Sequence, residues 1–580
     1  MQIKDFLDKK DLILIVSLTL IFFIIGIYNI GLTTAPETSW APVDVGESFY
    51  IDLGKDYDVR DIYILETDAT DVNLTLYGGS PKNWMKMTTF EKEGFYFNWD
   101  RIPISTKTRY LKFEATTPNG RISEVAIGDK SGKISLSPKN IFYEGENESN
   151  GIYVSNLLDE QHKFDFPPSY KSSTYFDEIY FIRTAHEFIL HKQPFEWTHP
   201  PLGKLIITTG ILIFGFNPFG WRIMGLIIGA AMIPLMYIFG KRLFKSRIGA
   251  FTSAFLMTFD GMHLVLSRIG MVDIFLVFFI ILMYYFFYTY YEGDLFKEGK
   301  TASKSLLLSG LFFGLSVSVK WTALYSFLGI CLLFAHVKIC EYSEYTNCES
   351  VWELPSKVKG IFETDFLRRY FFPHMSAIII ALAASFLLYL VFYTPFYLVP
   401  GPGHGLVDVF KYQGYMYSYH SNLNATHPFS SPWWTWPLIL KPVWFYVGYK
   451  SPSVSTISLM GNPGIWWVGI PCLFYVGLNA IKKNKNAIFI VTAFLVQYIP
   501  YVLIPRILFI YHFFPNVPFM CFGIAFCADR LWDKKWGKLV VVAYLILVAY
   551  LFLSFYPILS GYPTTTAYID KHKWLEGWIF

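Results

Sequence analysis

Charge is what this 580-residue sequence has least of: Asp, Glu, Lys and Arg together make up 16% of it, against about 25% in soluble globular chains. With 53% hydrophobic and 19% aromatic residues and a mean hydropathy of +0.35, a soluble globular protein is excluded and a membrane protein indicated. An excess of one sign is missing too. The 49 basic and 45 acidic residues leave a net +4, too small and too scattered for a nucleic-acid partner, so the placement of the cations bears mainly on membrane orientation. Cysteine is also scarce. The six at 331, 340, 348, 472, 521 and 527 exclude a disulfide framework, and the polar stretch 34–200, which has none, must hold together by packing.

Long apolar runs are what the chain has in quantity. After Lys4, Lys9 and Lys10, a nearly charge-free stretch from Asp11 to Tyr28 continues to about Thr33. It is too long for a signal-peptide core and reads as an uncleaved signal-anchor helix with a cytoplasmic N-terminus. Ten further spans are expected at 221–240, 248–265, 271–291, 305–319, 321–339, 374–397, 463–481, 487–504, 514–531 and 538–556. The pair 305–319 and 321–339 is short for a ~30 Å hydrocarbon core. In this eleven-span arrangement the basic loops, at Lys241–Arg247, Lys297–Lys304, Lys357–Arg369, Lys482–Lys485 and Arg530–Lys538, all fall on the cytoplasmic side. The N-x-S/T triplets at Asn73, Asn147 and Asn424 all fall outside.

The expected layout is a signal-anchor helix (1–33), a β-rich extracellular domain (34–165), an extracellular loop with interfacial helices (166–220), spans two to seven (221–397), an outer loop (398–462), spans eight to eleven (463–556) and an outer tail (557–580). The β-rich assignment rests on short, largely alternating runs at 48–53, 61–65, 72–77, 110–114 and 122–127, separated by Gly, Asp, Asn and Pro. That pattern reads as a β-sandwich, with a weak likeness to galactose-binding jelly rolls. A structural cap and a glycan-binding role are equally compatible with it.

Ionisable residues that are not loop punctuation gather on the outer side. Asp177, Glu178, Arg183, His199 and Lys204 precede the second span and Arg222 begins it; Arg268 and Asp273 lie in "SRIGMVD", Lys320 beside Trp321, and Arg506 and His512 in "PRILFIYHFFP". Two lookalikes are set aside. His186-Glu187 and His191 mimic a zinc helix, but the second histidine falls at i+5 instead of i+4, about 140° around the helix. Gly401–Gly405 has the glycines of a phosphate loop without its strand-to-helix setting and reads as a turn. The tryptophans 433, 434 and 436 are expected to stack on a sugar or to anchor the loop in headgroups.

Asp177 and Glu178 are adjacent, so on a helix they point ~100° apart and can serve two roles. Read alone, they are as well explained by a helix N-terminus, because "SSTYFDEIYFIRTAHEFI" starts a helix. His199-Pro200-Pro201-Leu202-Gly203-Lys204 then breaks that helix and starts another, over 202–216, placed along the membrane surface.

The DE pair, HPPLGK, SRIGMVD (267–273), SVKWTAL (318–324), LMGNPGIWW (459–467) and RILFIYHFFP (506–515) stand in the order found in protein O-mannosyltransferases, and the chain resembles that family over about 165–556. The resemblance implies an all-α polytopic fold of the GT-C type carrying the inserted β-rich domain. It implies transfer of mannose, with inversion, from a polyprenyl (dolichyl) phosphate mannose donor to Ser or Thr hydroxyls of a protein on the outer face. In that family Asp177 matches the catalytic acid residue, Glu178 its partner, and Arg222 a functionally important arginine.

The residue chemistry points the same way. A Ser or Thr hydroxyl is a poor nucleophile at neutral pH, so a carboxylate must take its proton, a role assigned to Asp177, with Glu178 left open for it because the rotation of the helix decides which of the two faces the hydroxyl. The leaving lipid phosphate needs cations, for which Arg222, Arg268, Lys320 and Arg506 are the candidates. His199 and His512 are further donor-binding candidates, and Asp273 is expected to hold a cation in place. No metal and no cofactor is required by this chemistry. The expected partners are the lipid donor, a Ser/Thr-bearing protein and membrane lipids; the oligomeric state, a dimer included, stays open.

Two features depart from the family pattern. The 398–462 loop is too short for the β-trefoil domain of eukaryotic members, and the 34–165 insert is not part of the common pattern. The missing loop domain fits a prokaryotic plasma-membrane enzyme, and the insert is a candidate to replace its acceptor-reading function. The competing expectations are transfer of another sugar from a polyprenyl phosphate to a lipid or glycan, and a transporter or flippase with a glycan-binding cap. The latter calls for charges within the spans and for related halves, whereas here the charges cluster at the outer ends.

Overall fold

The computed structural model of the protein describes residues 6–145, 153–293, 300–346, 365–450 and 452–580. Lys4, Asn147, Lys297, Cys348, Lys357 and Lys359 lie outside the described residues.

All eleven expected spans are helical. They are α1 (Lys9–Ile27), α4 (Pro218–Phe244), α5 and α6 (Arg247–Thr258, Gly261–Ser267), α7 (Asp273–Tyr291), α8 (Lys300–Val317), α9 (Ala323–Tyr345), α10 (Phe372–Val391), α12 (Pro463–Ile481), α13 (Lys485–Tyr498), α14 (Val517–Trp532) and α15 (Lys535–Ser560). The count is corrected downward. Among the described residues nine helices are long and apolar enough to cross a membrane alone, and ten if the α5–α6 pair, bent by 57°, is one span. The apolar part of α8, Ala302–Val317, is shorter.

The bundle wears its apolar residues on the outside. Leu12, Val16, Leu20 and Ile24 of α1, Ile379, Ile380 and Leu387 of α10, and Leu539, Ile546 and Leu553 of α15 are all exposed, a surface that a lipid solvent explains and water does not. The segment Ile510–Trp532, by contrast, has 94% of its apolar window buried and forms the centre. Charges close the two ends of the bundle. At one end Asp11 accepts from Tyr237 Oη (2.7 Å), Lys241 (3.1 Å) and Arg247 (3.0 Å), and Glu292 from Lys245 (2.7 Å). The candidate site lies at the other end, where α7 begins.

Between α1 and the next helices stands the expected β-rich domain. Its strands β1 (Ser48–Glu66), β2 (Val72–Ser80), β3 (Asn83–Lys92), β4 (Asn98–Ala115), β5 (Ile122–Asp129), β6 (Gly132–Lys133) and β7 (Ile141–Tyr143) form one antiparallel sheet of order β3-β2-β4-β1-β5-β6, with β7 on β1. The expected two-sheet sandwich is therefore replaced by a single hydrogen-bonded sheet. The runs 48–53 and 61–65 are one strand, broken in register at Asp52/Tyr57 and Val59/Asp61. Such irregularities raise the twist of a strand, and one core of Phe49, Ile51, Ile62, Ile64, Phe113 and Val125 spans both halves.

The β3–β4 turn of this sheet docks on the helices. Phe97 packs edge-on against Phe216 (5.5 Å) and Trp221 (5.2 Å), and Tyr96 Oη meets His186 Nδ1 at 2.6 Å. Thr174 donates its backbone N–H to Phe97 O and its hydroxyl to Tyr96 O, both at 3.0 Å, and Ser173 Oγ donates to Asn98 Oδ1 (3.2 Å). The sheet is thus pinned to the segment that leads into Asp177.

Beyond the bundle, the 398–462 loop is largely regular. It contains a helix, α11 (Leu406–Asn422), and a hairpin, β8 (Val443–Lys450) with β9 (Ser453–Leu459); Gly401 and Gly403 turn the chain at φ +99° and +91°.

Candidate active site

Phe176, at φ +53°, turns the chain into α2 (Glu178–Ile189), and Asp177 occupies the position before its first residue. A helix start usually draws such a carboxylate onto its own N–H groups. Here it makes no cap hydrogen bond, and among the described residues it has no hydrogen-bond or ion-pair partner. Half-buried in a cleft, it lies within electrostatic reach of Lys320, Asp273 and Glu196. Burial pushes its carboxyl up to about 6, with Lys320 opposing the rise and Asp273 and Glu196 adding to it.

Glu178 is the opposite case, with no exposed surface. It pairs with the equally buried Arg222 through both carboxylate oxygens, Nε to Oε2 at 3.1 Å and Nη2 to Oε1. It also accepts from the backbone N–H of Tyr175 (3.1 Å) and Gly270 (2.9 Å). The other donors of Arg222 go to the carbonyls of Ile30 (2.9 Å), Tyr170 (2.7 Å) and Ser173 (2.7 Å). A guanidinium has five N–H groups, and all five are engaged. Arg222 therefore has no donor left for a phosphate, and the pair acts as a lock that fixes the base of α2.

Arg268 is engaged almost as fully, through four donors. Buried, it donates to Gly26 O (3.0 Å), Ser560 O (3.0 Å), Tyr28 O (2.8 Å) and Asn29 O (3.2 Å), joining the ends of α1 and α15. Both arginines were expected at the donor phosphate. Their position in sequence near a span end does not reveal that backbone carbonyls from other elements surround them.

Of the four candidate cations, Lys320 and Arg506 are not held by backbone carbonyls among the described residues. Lys320 binds Asp273 at 3.0 Å, the partnership expected for Asp273, and lies 5.7 Å from the Tyr511 ring centroid. Arg506, in the loop before residues 510–516, has no hydrogen-bond or ion-pair partner among the described residues. It lies within electrostatic reach of Tyr325, Tyr501, Tyr511 and His512. Asp273 Oδ2 is buried without a partner.

His199 and His512 border the same cleft. His199 Nδ1 meets Glu196 Oε1 at 2.9 Å, and Lys204 fixes that arrangement by donating to Glu196 O and His199 O, both at 2.7 Å, and to Glu196 Oε2 at 2.5 Å. Burial works against the Glu196 charge, yet Lys204 and His199 hold the carboxyl well below its usual range. Burial also lowers His199, with the Glu196 carboxylate opposing that shift. His512 Nδ1 meets Phe509 O at 2.9 Å, and its ring stacks on Trp436. Trp436 is fully buried, with Nε1 on Ser431 Oγ (3.1 Å). It therefore neither stacks on a sugar nor anchors in headgroups, but supports His512 from behind.

One cleft residue escaped the sequence reading. His420, on α11, donates through Nε2 to Thr198 O (2.9 Å), stands 5.6 Å from the His199 ring, and leaves Nδ1 buried without a partner. Burial pushes it down to about 4. A lone histidine in a tyrosine-rich stretch carries no signal by itself; only the fold brings it to His199.

The motifs converge physically. A Cβ on Gly203 would stand 2.8 Å from Val272 Cβ and 3.3 Å from Val319 Cγ1, so HPPLGK meets SRIGMVD and SVKW only with glycine there. Leu202 N also donates to Ser318 O at 3.1 Å. LMGNPGIWW is structural: Asn462 and Trp466 both donate to the buried Asp260, at 3.2 and 2.9 Å. The zinc lookalike does not assemble. His186 stacks on Phe216 (4.1 Å) and Glu187 binds Arg183 (2.9 Å).

Comparison with known proteins agrees with this convergence. Residues 168–344 match the family model described as dolichyl-phosphate-mannose-protein mannosyltransferase, and 406–578 match that of the C-terminal four-transmembrane region of protein O-mannosyltransferase. Together the two cover more than half of the chain; neither reaches the sheet domain. A polyprenol-phosphate-mannose–protein mannosyltransferase of Mycolicibacterium smegmatis is 24% identical over 413 residues, 62% of this chain and 77% of that one. A dolichyl-phosphate-mannose–protein mannosyltransferase of Candida albicans is 27% identical over 252 residues, 40% of this chain and 31% of the relative. The solved Saccharomyces cerevisiae protein O-mannosyltransferase complex, bound to its sugar donor, superposes with a TM-score of 0.59 at 16% identity over 72% of this chain and 90% of that one. A multi-pass integral membrane protein whose HPPLGK, SRIGMVD and SVKW segments meet, the chain belongs to the protein O-mannosyltransferase family of glycosyltransferases.

Proposed function

We propose that the protein transfers mannose from a polyprenyl phosphate mannose to Ser or Thr hydroxyls of polypeptides, with inversion and with Asp177 as general base. The observation that carries this reading is the unpaired Asp177 carboxylate within electrostatic reach of Lys320, with Arg506 and Asp177 both in reach of Tyr511, beside a Glu178–Arg222 pair already fully satisfied. The acceptor oxygen bonds to the anomeric carbon and its proton passes to Asp177. The bond from that carbon to the phosphate oxygen breaks, and the electron pair leaves with the polyprenyl phosphate. Lys320 and Arg506 hold the growing phosphate charge. His199 takes a hydroxyl of the sugar at its Nε2, and His420 and His512 complete that wall. The cleft faces outward across a plasma membrane, with the N-terminus inside.

The test is transfer of labelled mannose from polyprenyl phosphate mannose to a Ser/Thr-rich peptide by the purified protein, with and without EDTA. Transfer that survives EDTA with an inverted product supports the reading, and a donor bound but never discharged to peptide overturns it.

The reaction should also report the ionisation of its base. Because the Asp177 carboxyl is raised to about 6, the active carboxylate predominates above that pH, and kcat/KM should fall about tenfold per unit as pH drops below it. Lys320 favours the charged form, so Lys320→Met should move this acid limb to higher pH, which a pH–rate profile reads directly. Arg506→Gln should instead raise the donor KM about tenfold or more through loss of a charge-assisted contact to phosphate, without moving the acid limb.

A further inference from the structure

At the end of the bundle opposite the candidate site, two short turns gather cations. One joins α12 to α13 through Lys482 and Lys483; the other joins α14 to α15 and runs into the first turn of that helix, with Lys534, Lys535 and Lys538. Asn486 donates to Leu243 O (2.6 Å) and Ser246 Oγ to Asp529, so both turns sit at the end where Lys245 holds Glu292. α12 and α14 run side by side in one direction: Gly469 faces Met520, and the rings of Tyr475 and Phe526 stand 6.3 Å apart. Seven residues beyond that contact come Lys482 on one helix and Asp533 on the other. The two turns are therefore level and form one basic collar.

All five lysines are exposed, and none makes a side-chain hydrogen bond or an ion pair among the described residues. The carboxylates at the end of α14 do not offset them: Asp529 is turned to Ser246, and Asp533 pairs with none of the five. Helix dipoles account for only part of the collar. α12 ends here, which favours Lys482 and Lys483, but α15 begins here, and cations in the first turn of a helix are opposed by its dipole. Lys534, Lys535 and Lys538 thus stand where the protein supplies neither a partner nor a favourable field. Depth identifies what does. Lys534 lies over the Trp536 ring at 5.3 Å and Lys538 at 5.9 Å from that of Trp532. Trp536 is 57% exposed, and from Leu539, 73% exposed, the outer face of α15 continues apolar. Lysines and a tryptophan at the rim of an apolar surface sit at the headgroup level of a bilayer.

We infer that this collar binds the headgroups of anionic phospholipids in the leaflet opposite the candidate site. A phosphate diester supplies the negative charge that the five lysines lack, at the depth where Trp536 sets them, and its acyl chains continue along the exposed Leu539 and Ile546. Each lysine at an anionic membrane surface adds about fivefold to affinity, and less at high salt, where the charges are screened. The collar holds its lipid whatever reaction runs at the other end.

The experiment uses the full-length protein in an uncharged detergent, with phosphatidylglycerol, phosphatidylcholine or glycerol 3-phosphate titrated in and the bound molecules counted by native mass spectrometry. Phosphatidylglycerol should bind about tenfold or more tightly than phosphatidylcholine, and glycerol 3-phosphate should not displace it. Lys534→Gln, Lys535→Gln and Lys538→Gln together should weaken phosphatidylglycerol about a hundredfold, and Lys482→Gln with Lys483→Gln about twenty-five-fold, with phosphatidylcholine unmoved. The triple variant should melt no earlier than the parent in phosphatidylcholine, because the start of α15 is relieved of opposed charge, so that lost binding is not lost folding. Lys411→Gln, in the outer loop and paired with Asp408 at 3.0 Å, is the control. Equal affinity for the two lipids, or a preference for phosphatidylglycerol kept in both lysine variants, would overturn the inference. Displacement by glycerol 3-phosphate would overturn it too, and make the collar a site for a soluble anion.

Discussion

Asp177→Asn should lower kcat by about 10²- to 10⁴-fold, the usual worth of a general base, while leaving donor affinity and melting temperature essentially where they are. The structure sets each part of that expectation. Asn keeps the size of the side chain but cannot take a proton from the acceptor. Because Asp177 has no cap hydrogen bond and no ion pair among the described residues, the substitution orphans no partner and leaves no cavity, so stability should hold within about 0.5 kcal/mol. The raised carboxyl, at about 6, marks a group that burial disfavours as an anion, so amidation removes a cost rather than a support. Single-turnover transfer, donor binding and a thermal melt on the same preparation decide the matter. A variant with normal turnover, or one that melts early, would place Asp177 in the scaffold.

Arg222→Met should do the reverse and fail by unfolding. It would leave the Glu178 carboxylate charged with only the Tyr175 and Gly270 amides, and would strip the Ile30, Tyr170 and Ser173 carbonyls of their donor. Breaking one side of a fully buried ion pair costs about 3–5 kcal/mol. Glu178→Gln combined with Arg222→Met should recover part of that loss, because the uncompensated charge goes while the three carbonyls stay unpaired. Denaturation in detergent, compared across the single and double variants, reads this directly. A stable Arg222→Met with a raised donor KM would instead return Arg222 to the phosphate, where its sequence position suggested it belonged.

That contrast shows which features the chain displays in one dimension. Apolar length located every helix of the bundle, because lipid demands long uncharged runs, and the alternation in 48–65 and 110–127 located the sheet. Length was less informative about counting: α8 falls short and α5–α6 bends, both tolerable where neighbouring helices satisfy the backbone. At the candidate site, Asp177, Lys320 and Arg506 are legible as charges away from the basic loops. What separates Lys320 and Arg506 from the other two cations is tertiary. Arg268 and Arg222 are consumed by carbonyls up to 292 residues away, and no spacing rule encodes such a pairing. Aromatic abundance hid a second contact for a similar reason. Tyr412, Tyr415 and Tyr419 resemble interfacial residues until Trp197 is laid against them.

The β3–β4 turn has a consequence for how this protein comes apart. Its carbonyls at Tyr96 and Phe97 are the acceptors for Thr174, and its rings cover Trp221, so the sheet and the root of α2 share their contacts and should open as one cooperative unit. Hydrogen exchange would then give the amides of β4 and of residues 173–182 a common opening free energy. A chain trimmed of 34–165 should lose the order of the segment around Asp177 together with the sheet, even though every residue of the candidate site remained in its sequence.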